Sequence, residues 1–138
     1  MSRVSVKGLV VGALWILGLD TLTGIGMLAL IGSDAIQEGL SAQRLNEAIV
    51  AVMATTSFLV GSLILGTLST VVGAYTAART AMKGPYVNAA ILGVAAMALG
   101  VLVADGLPFW FNLLAFISVL PAALLGGHLA RARTEARA

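Results

Sequence analysis

Asp20 lies within LGLDTLTGIG, near the middle of an apolar run, and it is the residue that most needs a chemical explanation. A charged aspartate at the centre of a bilayer costs about 2.5–3.5 kcal/mol on insertion scales. It must therefore face protein or water, or be protonated. No lysine or arginine is expected at its depth, so its partners should be hydroxyls. Thr21 and Thr23 are neighbours in sequence, Gly24 leaves room one turn on, and Thr55, Thr56, Ser57, Ser62 and Thr67 belong to the next apolar segment. Asp20, Thr23, Thr56 and Ser62 form the candidate polar site. Such a carboxylate can carry a proton or bind a cation, as in small coupled transporters. Its other possible role is structural: a neutral aspartate that hydrogen-bonds across helices and fixes their register, worth about 1 kcal/mol.

Other chemistries lack their residues. With no cysteine there is neither a disulfide, a thiolate metal site nor a thiol nucleophile, and the single histidine, His128, cannot assemble a metal cluster. No paired carboxylates, Ser/His/Asp set or phosphate-cradling glycine loop is present. The expectation is a protein that is not an enzyme and needs no cofactor or metal. Asn88 and Asn112 read as hydrogen-bonding residues near helix ends. Met27, Met53 and Met97 read as gap-filling core, and Trp15 as packing.

The elements that position Asp20 follow from composition. The chain is 59% hydrophobic and 10% charged, with mean hydropathy +1.02, whereas a soluble domain is usually about 25% charged. Four stretches reach the roughly 20 apolar residues that a spanning helix needs, at 7–32, 48–78, 86–104 and 109–130. They predict an all-α membrane protein of one domain, 1–138, with four transmembrane helices in two tandem hairpins. The basic, apolar N-terminal stretch resembles a signal peptide, but its apolar run continues past Asp20 to Ile31, so a retained first helix is expected.

Charge placement sets the orientation. Arg3, Lys7, Arg79, Lys83, Arg131, Arg133 and Arg137, seven of the eight basic residues, fall at one end of the spans. The other end holds Asp34, Glu38, Glu47 and Asp105 with Arg44 alone. By the positive-inside rule both termini are cytoplasmic, and the location expected is the bacterial inner membrane. The pI near 9.5 is explained by these anchors without invoking nucleic acid. The polar segment 33–47 reads either as a short interfacial helix or as a connector running into the second span.

Two spans close on nearly the same phrase, VVGAYTAART at 71–80 and LLGGHLARAR at 124–133. Glycine allows close backbone approach, Tyr75 and His128 suit headgroup depth, and Arg79 and Arg131 anchor there while complementing the helix dipole. Arg79 and Arg131 together could also hold an anion or a lipid headgroup. With KG opening each hairpin, at 7–8 and 83–84, the phrase suits a parallel tandem repeat; convergence on good helix-end chemistry is the other explanation. The KG alignment places Ala96 opposite Asp20, which argues against a symmetric two-carboxylate site. Small residues continue along Ser62, Gly66, Ser69, Gly73 and Ala77, along Ala89, Gly93, Ala96 and Gly100, and along Ala115, Ser118, Ala122, Gly126 and Ala130. Gly66, Gly73, Gly93, Gly100 and Gly126 are the expected helix-packing positions. Pro121 is expected to bend the last helix, and PFWFN at 108–112 reads as an aromatic belt with Trp110 as anchor.

On Gly73, Tyr75, Ala77 and Arg79, and on Pro121, Gly126, Gly127 and His128, the chain resembles small bacterial four-helix membrane proteins of no settled function. Their helix ends read Gly-Gly-Tyr-x-Ala-Ala-Arg and Gly-Gly-Tyr; Ala74 and His128 depart from that pattern here. The resemblance implies no catalytic residue. The function expected is that of an accessory or assembly subunit whose small-residue faces pack on another membrane protein or on a second copy. The alternative is a homo-oligomeric channel or proton- or cation-coupled transporter using Asp20.

Overall fold

A helix satisfies every backbone polar group within one segment, which is why long apolar stretches adopt it in a medium without water. The computed structural model describes residues 4–31, 33, 41–81, 84–102 and 106–136. Its helices are α1 (Val6–Ile31), α2 (Ala42–Met53), α3 (Thr56–Thr80), α4 (Pro85–Leu102) and α5 (Phe109–Glu135). All except α2 are long and apolar enough to cross a membrane, and no strand occurs among the described residues. Large side chains such as Val10, Leu14, Leu22, Val94, Leu113 and Ile117 point outward. An apolar exterior of that extent is at home in lipid and not in water. The chain is a multi-pass membrane protein.

The second span starts at Thr56, later than the expected residue 48, because residues 48–53 belong to α2. Thr55 makes the break. Its hydroxyl accepts from the Phe58 N–H at 3.3 Å and so caps α3 as a new helix. The polar segment is thus helical from residue 42 and amphipathic, with no residue buried and with Val50 and Met53 on its surface. Met53 is therefore not core. Residue 32, residues 34–40 with Asp34 and Glu38, and Arg3, Lys83, Asp105 and Arg137 lie outside the described residues. Trp15 is 49% exposed on the outer face of α1 and does not pack inward. In a helix apolar on every side, hydropathy carries no phase to say which face turns inward.

Helix ends follow their chemistry. Ser5 caps α1, its hydroxyl accepting from the Gly8 N–H at 3.1 Å. Gly84 and Gly106 turn the chain with φ of 74° and 83°, a region that other residues rarely adopt. Pro85 then opens α4, where its missing N–H costs nothing. α5 runs on through Pro121 without a break.

Asn88, wholly buried, accepts from the Ser5 N–H at 2.7 Å and donates to the Gly84 carbonyl at 2.9 Å. The starts of α1 and α4 are thereby tied together, so the two hairpins run the same way. α3 packs most heavily against α5 and α1, and α4 against α5. α1 and α4 meet sparsely, and α1 and α5 do not pack against each other.

Candidate functional site

The largest buried cluster lies in the half of the bundle next to the basic end, on Ile16, Ala74, Ala77, Ala89, Leu92 and Ala123, with Phe58 and Leu59 buried separately at the other end of α3. There the glycines allow close approach. A Cβ on Gly73 would collide with Ile16 and the Gly12 carbonyl, one on Gly126 with the Val71 carbonyl and the Tyr75 nitrogen, and one on Gly93 with Ala123. The doubled glycine of the second phrase has a geometric reason. α5 is wedged between two helices, so Gly126 lies against α3 and Gly127 against Ala89 of α4.

Each small-residue stripe then changes role along its length. Ser69, Gly73 and Ala77, Ala89 and Gly93, and Ala122, Gly126 and Ala130 are buried in helix contacts. Ser62 and Gly66, Ala96 and Gly100, and Ala115 and Ser118 instead line a cavity of about 580 Å³. Nothing lies within 4 Å of a Cβ placed on Gly66 or Gly100. These two expected packing positions are corrected accordingly. Where larger residues would have filled the space between α1, α3, α4 and α5, small ones leave it open.

Asp20 is the charged residue in that wall, and it accepts a hydrogen bond from the buried Ser69 hydroxyl. This partner is a hydroxyl of the second span, the class expected, but not one of the five singled out. The stripe already carried Ser69, but a sequence does not show how far α1 and α3 slide past one another. Thr23 turns its hydroxyl back onto the Leu19 and Asp20 carbonyls, at 2.8 and 3.1 Å. Ser62 shares the cavity wall and has Met27 Sδ 4.0 Å away. Thr56, in the first turn of α3, is exposed and is not part of the cavity. Thus the structure brings Asp20 and Ser62 to one cavity, leaves Thr23 and Thr56 out of its wall, and places Ser69 behind that wall as the partner of Asp20. Ala96, opposite Asp20 in the KG alignment, lines the same space.

Three further hydroxyls of the wall bond back onto their own helices. Thr67 donates to the Leu63 carbonyl at 2.7 Å, Thr70 to the Gly66 carbonyl at 2.8 Å, and Ser118 to the Ala115 carbonyl at 3.0 Å, with the Thr67 and Ser118 hydroxyls 3.4 Å apart. A hydroxyl that gives its only proton to its own helix still has lone pairs to offer. The polar content of an otherwise apolar cavity is therefore one carboxyl group and several acceptor oxygens. Such a lining suits an apolar body bearing a donor or a positive charge.

A second group of polar residues sits at the basic end. Tyr86 hydroxyl and His128 Nδ1 are 2.9 Å apart, and Arg131 lies over the Tyr86 ring while pairing with Glu135 at 2.7 Å. Arg79 and Arg133 both donate to the Tyr75 hydroxyl, at 3.4 and 3.2 Å. The expected Arg79–Arg131 pair is thus corrected: Arg79 joins Arg133, and Arg131 is engaged by its own carboxylate.

Searches against protein-family models, curated proteins and solved structures found no match to this chain.

Proposed function

We propose that the chain binds a small, largely apolar molecule bearing a hydrogen-bond donor or a positive charge, held within the membrane with Asp20 as its polar anchor. The observation that carries this reading is the acceptor-lined cavity. Its volume, about 580 Å³, falls within the roughly 300–1,000 Å³ of small-molecule pockets. Because Asp20 lies on that wall, binding and proton or cation movement would meet at one side chain. We therefore place the protein among small coupled transporters or channels, in the bacterial inner membrane with both termini cytoplasmic. Close intramolecular packing of the basic half accounts for much of the small-residue pattern that first suggested an accessory subunit.

The test is equilibrium binding of tetraphenylphosphonium, an apolar cation, to the protein in lipid nanodiscs. Saturable binding should weaken at least tenfold in Asp20→Asn, while Ser69→Ala, which keeps the carboxylate, should lose less. Equal binding by wild type and Asp20→Asn would remove the carboxylate from the site.

A second reading, docking on another membrane protein or on a second copy, has one observation in its favour. A Cβ placed on Gly18, Gly24 or Gly26 of α1 would meet no atom of a neighbouring helix within 4 Å. A partner helix could approach Gly18 and Gly26 closely, since they lie about 80° apart around α1. The resemblance to small bacterial four-helix proteins with glycine–aromatic–arginine helix ends fits either reading.

A further inference from the structure

We infer that Arg79, Arg133 and Tyr75 form a site for the phosphate group of an anionic membrane lipid. Arg79 and Tyr75 come from the end of α3, and Arg133 from the last turn of α5. Both guanidinium groups donate to one phenol oxygen, and Arg133 also lies over the Tyr75 ring, 5.9 Å from its centroid. Two like charges are thereby gathered within reach of a single phosphate.

Among the described residues, no carboxylate pairs with either arginine, since Glu135 is taken by Arg131. Each guanidinium has five N–H donors, and the phenol oxygen occupies one on each. The remaining donors can meet a phosphate from two sides, the geometry in which arginine binds that group best. The neighbouring Arg131 illustrates the contrast: its charge is already balanced within its own helix, so it belongs to the anchor and not to the site.

Apolar surface beneath the arginines selects a lipid over a free anion. Leu129 lies one turn before Arg133 and Val72 one turn before Tyr75, on the same helix faces, and both are exposed, with Leu125 and Leu68 a turn further down. A headgroup held by the arginines would lay its acyl chains along those residues. Inorganic phosphate would use the arginines alone.

The experiment is native mass spectrometry of purified protein exchanged into micelles containing phosphatidylglycerol or phosphatidylcholine, with inorganic phosphate as competitor. Wild type should retain phosphatidylglycerol over phosphatidylcholine. Juxtamembrane attraction supports roughly a tenfold or greater loss for the double variant Arg79→Ala/Arg133→Ala, with Arg131→Ala close to wild type. Arg79→Lys/Arg133→Lys keeps the charge and should recover part of the binding, which guards against a folding artefact. Equal lipid retention in wild type and double variant, or an equal loss in Arg131→Ala, overturns the site. Binding of inorganic phosphate by the same arginines with no preference for the lipid overturns the lipid assignment.

Discussion

Asp20 and Asn88 are polar residues in apolar surroundings, and their partners give them different tasks. Asn88 is fully enclosed, with its amide bonded to two backbone groups at the starts of α1 and α4. Replacing it with alanine leaves the Ser5 N–H and the Gly84 carbonyl without it, at a cost of about 1–3 kcal/mol. Asn88→Ala should therefore lower the thermal midpoint of the detergent-solubilised protein, read by circular dichroism, and leave ligand affinity nearly intact. Unchanged thermal stability would mean that the α1–α4 tie contributes little. Asp20 has one hydroxyl partner and otherwise looks into open space. Asp20→Asn should keep the fold and lose ligand. Sequence alone singled out Asp20 because an intramembrane carboxylate is conspicuous on energetic grounds. It could not identify Ser69 as the partner, because the relative slide of two helices depends on where their small residues interlock.

At the scale of the helices, identical residue types do opposite work along one stripe. Gly126 is in contact with backbone atoms of α3, whereas Gly66, on α3 itself, borders the cavity. Two substitutions separate these roles. Gly126→Leu should break the α3–α5 contact and produce misfolded or aggregated protein on size-exclusion chromatography. Gly66→Leu should remain folded, fill the cavity and abolish tetraphenylphosphonium binding. If Gly66→Leu binds normally, the ligand lies elsewhere; if it fails to fold, that stretch of α3 is tightly packed and not open. The number of spans and the location of the stripes were legible because length and composition decide them. The length over which a stripe packs was not, since the repeat of small residues continues unchanged from the closed half into the open one. The α2–α3 break was legible in retrospect through Thr55, a capping residue hidden between two apolar runs.

The whole molecule is a bundle closed at its basic end and open within. Because α1 packs heavily against α3 but meets α4 sparsely, the loosest seam runs between α1 and α4. A second global property, orientation, rests on charge alone. The chain has no cysteine, so single-cysteine variants report on topology cleanly. Gln43→Cys and Ala136→Cys should react with impermeant maleimide from opposite sides of right-side-out vesicles, Gln43→Cys from outside. Labelling of both from one side would reverse the positive-inside reading or change the number of spans.

Uptake of a fluorescent lipophilic cation such as ethidium into proteoliposomes, driven by an imposed proton gradient, tests the role of Asp20 most directly. Gradient-dependent uptake by wild type, lost in Asp20→Asn and in Gly66→Leu although both reconstitute normally, is the expected result. Uptake that persists in Asp20→Asn at the wild-type rate would contradict a cavity organised around that carboxylate and leave Asp20 as a register-fixing hydrogen bond to Ser69.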